Sequence, residues 1–221
     1  MKILLLIHKP QARGQEIFAS LLGNELIAKG HEVLLISMYA GDFVLPFEGN
    51  QIHLNLPSSL VSVNPLTWRK FSRLVKGFKP DVVQANGGDT LKFAVLTRLA
   101  FSFPGRLVFN NGGVLGFYLD SWWKQIFYRF VLRSIDGAVC VSQQSGDDLT
   151  QFLPKNCPLV RIPIGVKVNQ LSQSSPSSDL QVFVHIAGFT PEKNHRELIM
   201  IFSNYLRCLL YTSPSPRDRT R

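Results

Sequence analysis

The sequence predicts an α/β protein with a doubly wound, mostly parallel sheet. Two features carry that prediction. Short apolar runs of strand length recur along the chain, and stretches with apolar residues at helical spacing separate them. A third feature divides the chain: VKVNQLSQSSPSSD, residues 166–179, is rich in Ser and Pro, lacks periodicity and reads as a linker. The alternation resumes after it for one strand and one helix only.

Taken in order, Lys2 to Ile7 is a continuous apolar run, as expected of a strand covered on both faces. Ile17, Leu21, Leu22 and Leu26 then form a helical stripe, with Gly30 placed as its stop, and His31 to Ser37 supplies a second strand. Gln51 to Leu56 alternates like a half-exposed strand. Asn64-Pro65 starts a helix carrying Leu66, Phe71, Leu74, Val75 and Phe78. Pro80 to Ala85 is a buried strand, and Asp89 is placed to cap a helix through Leu99. Arg106 to Asn110 is a strand, Asp120 to Ser134 a helix, Ile135 to Val141 a strand. Ser142 begins a helix ending near Leu153, and Leu159 to Pro163 closes the series. Crossovers between such parallel strands are right-handed. In doubly wound sheets ligands bind beyond the carboxyl ends of the strands, so the loops that follow them are the ones to inspect.

Length allows one large core or one and a half ordinary domains in 221 residues. The domains expected are 1–165, the linker 166–179, and 180–206 as the start of a second, truncated α/β domain, since one βα step cannot close a core. Residues 208–221 are expected to be a non-native tail, because Ser, Pro and Arg break the helical pattern without a return to strand or helix. Cys140, Cys157 and Cys208 are an odd number without metal-ligand spacing. No stretch reaches the roughly 20 apolar residues of a membrane span, and the first apolar run is too short for a signal peptide, so a cytoplasmic location is expected. The net charge of +9 points to anionic partners.

The second segment carries the sharpest chemical signal. Val182 to Ala187 reads as a buried strand stopping at Gly188, and Leu198, Ile201, Phe202, Tyr205 and Leu206 read as a helix. Thr190 suits the N-cap and Pro191 the first helical position. Lys193, His195 and Arg196 then lie where free N–H groups already favour anions, which makes sense as a phosphate seat. The alternative is a solvated first turn neutralised by Glu192 and Glu197.

GFTPEKNHRELI, residues 188–199, resembles the G-R-x-x-x-E-K-N/G-x-x-x-L-I segment of family 4 glycosyltransferases. The resemblance implies the GT-B fold, with Gly188 and Lys193 at the donor diphosphate; Phe189 stands where the family has Arg. Gly14 and Glu16 resemble the family's G-G-x-E turn, with Arg13 in place of the first glycine, and imply a donor-phosphate role for Gly14. Gly30 to Val33 and Pro80 to Val83 match the family's G-H-e-V and P-D-v-V segments. Val141-Ser142 with Leu149, and Arg161 to Val166, resemble two further ones. A dinucleotide fingerprint is absent, because only Gly14 of three required glycines is present.

Two glycine-bearing loops complete the candidate site. Asn86-Gly87-Gly88 and Asn110-Asn111-Gly112-Gly113 each follow a strand, bringing backbone N–H groups and amide side chains to a ligand. Asn86, Gly87, Asn110, Asn111 and Gly112 are the expected acceptor or sugar-binding residues. Relatives place a His in the second loop; asparagine orients hydroxyls but cannot act as a general base. The resemblance thus implies retaining transfer from a nucleotide-sugar donor to a glycan or lipid-linked saccharide, in polysaccharide biosynthesis, with no metal or resident cofactor and no nucleic-acid partner. No catalytic side chain is assigned, and the chain is expected to be inactive alone. The rivals are a non-catalytic GT-B-like binding or membrane-associated domain and a sugar-nucleotide epimerase. Finally, Trp122 to Arg133 mixes aromatic and basic residues on one helix. It reads either as an interfacial helix on an anionic membrane surface, at its inner face, or as aromatics packed on the sheet with cations snorkelling outward.

Overall fold

The computed structural model describes residues 1–57, 64–165, 183–189 and 193–212, with side chains through 208. The chain divides into two compact units, Met1–Lys167 and Val168–Arg221.

The first unit is a seven-stranded parallel sheet of β1 (Lys2–Ile7), β2 (Glu32–Ser37), β3 (Asn50–His53), β4 (Val82–Asn86), β5 (Arg106–Asn111), β6 (Gly137–Cys140) and β7 (Leu159–Arg161). The helices are α1 (Gly14–Ala28), α2 (Pro65–Phe78), α3 (Gly88–Phe101), α4 (Trp122–Leu132) and α5 (Gln143–Thr150), with a 3₁₀ turn at Leu115–Tyr118. Strand order is β3-β2-β1-β4-β5-β6-β7. The chain winds outward from β1 in one direction, returns, and winds outward from β4 in the other.

Side-chain alternation along β1 splits the core between the two faces of the sheet. Ile3, Leu5 and Ile7 join Val33, Leu35 and Phe47 on the α1 side, whereas Leu4 and Leu6 join Leu34, Ile36, Phe71 and Phe93 on the other. Phe71 of α2 anchors that larger side, its ring 5.2 Å from Phe93 and 6.1 Å from Phe103.

Local signals place the helix ends. Asn64 accepts from Leu66 N–H at 2.9 Å with Pro65 following, the N-terminus expected for α2. At the end of α1, Gly30 (φ 82°) donates to Ile27 O and His31 donates to Leu26 O, a Schellman closure.

Three expectations are corrected. The buried stripe of α1 is Glu16, Ala19, Ser20 and Gly23, while Leu21 is exposed. The small residues bring the helix close to the sheet: a Cβ at Gly23 would lie 2.5 Å from the Phe47 ring. The helix therefore turns its small residues toward the sheet, while Ile17 and Leu26 of the expected stripe pack half-buried against the same core and Leu21 points outward. Asp89 is not a cap, because α3 begins one residue before it, with Gly87 (φ 98°) at the N-cap. In the second unit residues 183–188 form no strand and are largely exposed. No strand among the described residues of that unit offers its backbone a ladder. Instead Phe183 packs on Phe202 and Tyr205, each ring pair 5.5 Å apart, along α6 (His195–Thr212).

Asp136, in the turn between α4 and β6, ties three elements together. Its carboxylate accepts from Arg98 at 2.6 Å and from Leu107 N–H at 2.7 Å. Partial burial works to raise its pKa, but the Arg98 guanidinium and the Leu107 N–H outweigh it and hold the carboxyl below its ordinary range. A depressed folded pKa adds stability above the unfolded value, near 3.9, and loses it as pH falls through the folded one. Urea unfolding should therefore show wild-type stability falling as pH drops below about 4, with that part of the fall missing in Asp136→Asn.

Candidate functional site

The strand order reverses between β1 and β4, which opens a crevice at their carboxyl ends. A cleft of about 790 Å³ occupies this end of the first unit. Arg13, Gly14 and Gln15 line it after β1, Gly87 to Asp89 after β4, Asn110 and Asn111 at the end of β5 and Gly112 to Val114 after it, Val141 after β6 and Ile164 after β7. Trp123, Lys124, Phe127 and Tyr128 of α4 form a further wall.

Two helices aim their N-termini into this cleft. Neither α1 nor α3 has a side-chain cap, so the first N–H groups of each are left for a ligand. A Cβ at Gly14 would meet no protein atom within 4 Å, so that turn lies open. By contrast, Gly87 is required by its backbone, and a Cβ there would also crowd the Gln15 amide at 3.0 Å. Gln15 reaches across from α1 and donates to Asn110 O at 3.4 Å.

Amide side chains lock the strand ends behind the cleft. Asn86 Oδ1 accepts from Gln84 and from Asn110, both at 2.9 Å, and Asn86 Nδ2 donates to Leu6 O at 3.1 Å. β1, β4 and β5 are thereby joined through one side chain. Asn86 is buried, with both polar atoms engaged, and does not line the cleft. The sugar-orienting role expected of it is replaced by a scaffold role. Asn110 and Asn111 do line the cleft, although both are buried. Asn111 Nδ2 donates to Ser145 Oγ at 3.2 Å, and Ser145 Oγ donates to Gly113 O at 2.8 Å, which fixes the loop holding Gly112 and Gly113. Asn110 Oδ1 is buried without a hydrogen-bond partner among the described residues.

A charged group missed by the sequence reading stands on the α3 side. Lys92 Nζ lies 2.7 Å from Asp89 Oδ1 and 5.8 Å from the centre of the Tyr128 ring; His8 Nε2 is 3.9 Å from Asp89 Oδ2. Burial works to lower the Lys92 pKa, but Asp89 and Tyr128 outweigh it and hold the ammonium above its ordinary range. Burial also pushes the Tyr128 phenol up, with Asp89 adding to the rise and Lys92 opposing it. At neutral pH the cleft thus carries a fixed ammonium beside a neutral phenol. The i, i+3 spacing of Asp89 and Lys92 was a usable signal; the approach of Tyr128 was not, since it depends on how α4 meets α3.

The sequence profile described as Glycosyltransferase Family 4 matches residues 12–170. The chain belongs to this family. The family 4 match spans every loop of the cleft and most of the parallel sheet. Among solved structures, Anabaena HepE in complex with UDP and glucose is similar at 16% identity and TM-score 0.55, over 75% of this chain and 45% of that one. Sucrose-phosphate synthase from Thermosynechococcus elongatus is similar at 15% identity and TM-score 0.58, over 75% of this chain and 48% of that one. An alpha-glucosyltransferase in complex with UDP and a 13-mer DNA is similar at 13% identity and TM-score 0.51, over 75% and 43% of the two chains. The chain thus spans less than half the length of each of these three. No curated protein matches in sequence. These likenesses establish the fold as that of GT-B glycosyltransferases.

Gly188 and Lys193, two of the three residues expected at the donor diphosphate, lie in the second unit. Gly188 and Lys193 are exposed, and His195 Nε2 donates to Gly188 O at 2.8 Å. α6 starts at His195, so Lys193 precedes the helix instead of standing in its first turn. Thr190 and Pro191, expected to open it, lie outside the described residues, as does the linker 166–179.

Gly88 yields a test of the α3–α4 wall. A Cβ there would sit 2.7 Å from Tyr128 Oη, but 3.7 Å from the next ring atom. Gly88→Ala should therefore cost about 1–3 kcal/mol of unfolding free energy, as overpacking does. Tyr128→Phe, which removes the clashing oxygen, should restore most of that loss in the double variant, measured as a double-mutant cycle by chemical denaturation.

Proposed function

We propose that the protein is a retaining glycosyltransferase that moves a sugar from a nucleotide-sugar donor to a hydroxyl group of a saccharide or lipid-linked saccharide. The observation that carries this reading is the cleft at the β1/β4 reversal, in a chain that belongs to family 4. Its two uncapped helix ends supply N–H donors to oxygen-rich ligands, and its aromatic wall suits the apolar faces of sugar rings. That HepE has been solved with UDP-glucose supports a nucleotide sugar as donor.

In this reading Gly14 lets the first loop approach the donor phosphates, and Lys193, with the backbone at Gly188, offsets the charge that develops on the diphosphate as the glycosidic bond to it breaks. Gly87, Asn110, Asn111 and Gly112 shape the surface against which the acceptor sugar rests. The amides of Asn110 and Asn111 provide no base, so the acceptor's proton passes to an oxygen of the departing phosphate as the new glycosidic bond forms. Anomeric configuration is retained.

Isothermal titration of the chain with UDP-glucose and with other nucleotide sugars tests the donor assignment. Lys193→Ala should weaken binding of the preferred donor by about tenfold, the loss of one charge-assisted contact to phosphate. Unchanged binding by Lys193→Ala, or an equal response to the free sugar without its diphosphate, would remove Lys193 from the donor site.

A further inference from the structure

The charges that line the cleft do not cancel. Arg13, Lys92 and Lys124 stand there with one carboxylate, Asp89. Lys92 is paired with Asp89 at 2.7 Å, and Lys124 with Asp120, which lies outside the lining, at 2.6 Å. With those two cations answered, the surplus charge is that of Arg13, an exposed guanidinium with no ion partner among the described residues. Glu16, the next carboxylate along the chain, is buried in the fold: it is 5% exposed, does not line the cleft, and its Oε1 accepts from Gln11 at 2.8 Å.

Arg13 is held where a ligand in the cleft can meet it. It is the N-cap residue of α1, with extended backbone (φ −116°, ψ 151°), and the space beside Gly14 is open. The uncapped end of α1 adds its own positive potential to that of the guanidinium. The surroundings suit a sugar. Asn110 lines the cleft, is 3% exposed, and its Oδ1 accepts no bond among the described residues, which leaves an acceptor for a hydroxyl. The exposed rings of Tyr118 and Trp123 offer apolar faces to the same space. A neutral sugar would leave Arg13 unanswered. A sugar with a carboxylate answers it with one negative charge and with two oxygens that match the guanidinium fork. A phosphate monoester, with close to two charges at neutral pH, exceeds the single free cation.

We propose that the acceptor is an acidic saccharide, one whose sugar bears a carboxylate, and that Arg13 selects it by pairing with that carboxylate at the cleft. This inference rests on the saccharide reading of the cleft given above and names the class of acceptor. Lys92 has a lesser part, because Asp89 already holds its ammonium; it strengthens the positive field without being free to make the pair. No bond forms or breaks at Arg13. Its work is to bind and orient the acceptor, so its loss acts on affinity for the acidic saccharide and much less on affinity for the donor.

The test is isothermal titration of the 221-residue chain with oligosaccharides of glucuronate, galacturonate and mannuronate, each beside its carboxyl-reduced, neutral counterpart. At low salt at least one acidic oligosaccharide should bind about tenfold more tightly than its counterpart, the effect of one charge-assisted contact, and roughly 0.5 M salt should remove most of that preference. Arg13→Gln should bring the two members of the pair within about twofold, while Arg13→Lys keeps most of the preference. Arg69→Gln/Arg73→Gln, which removes two exposed charges of α2 outside the cleft, should leave the preference intact. The proposal is overturned if no acidic oligosaccharide outbinds its neutral counterpart, or if the α2 variant loses the preference as Arg13→Gln does. It is also overturned if Arg13→Gln weakens UDP-glucose as much as the acidic saccharide, which would assign the guanidinium to the donor. Equal binding of acidic and neutral members would remove this inference alone and leave the saccharide reading standing; binding of neither member of any pair would remove both.

Discussion

The structure depends on where the strand order of the parallel sheet reverses. β1 hydrogen-bonds β2 on one side and β4 on the other, with side chains buried to both faces, so no outward loop can cross above it. The loops after β1 and β4 must therefore part, and the crevice between them follows from topology before any ligand is considered. The chain reinforces that point with side chains. Asn86 ties its own strand to Leu6 of β1 and Asn110 of β5, which holds three strand ends in register just beneath the cleft. An amide suits this position because it donates and accepts at once, and burial makes each satisfied bond costly to lose.

From that base, the cleft takes its character from what borders it. The helices after β1 and β4 each present uncapped N–H groups. Glycines allow the backbone to come close where a side chain would collide, as at Gly87 against Gln15 and Gly88 against Tyr128. Helix α4 closes one side with aromatic rings, and the Asp89–Lys92 pair fixes a positive charge near them. N–H donors, ring faces and a held cation together match an oxygen-rich, ring-shaped ligand.

Most of the architecture was readable from the sequence because strand and helix periods differ and the caps have local chemistry, as Asn64-Pro65 and Gly30-His31 illustrate. The failures share one cause, which is that the deciding contact lies far away in sequence. Leu21 of α1 looked like part of its inner face until Phe47, packed against Gly23, drew the small side inward. Asn86 looked like a ligand-binding amide, and only its neighbours on β1 and β5 reveal the structural role. Gln15 and Tyr128 were invisible as cleft residues for the same reason, since each acts across a gap that sequence spacing does not encode. Residues 182–187 had the composition of a strand, but a strand requires a partner, and the described part, 183–187, has none among the described residues of its unit.

The central claim is that the first unit holds a saccharide at the β1/β4 reversal. Amide hydrogen exchange of the chain, with and without oligosaccharide, tests it most directly. The account predicts slower exchange at residues 13–15, 87–92 and 110–114, with the far ends of the same strands unchanged. Protection elsewhere in the first unit, with these three loops unaffected by any saccharide that binds, would contradict it.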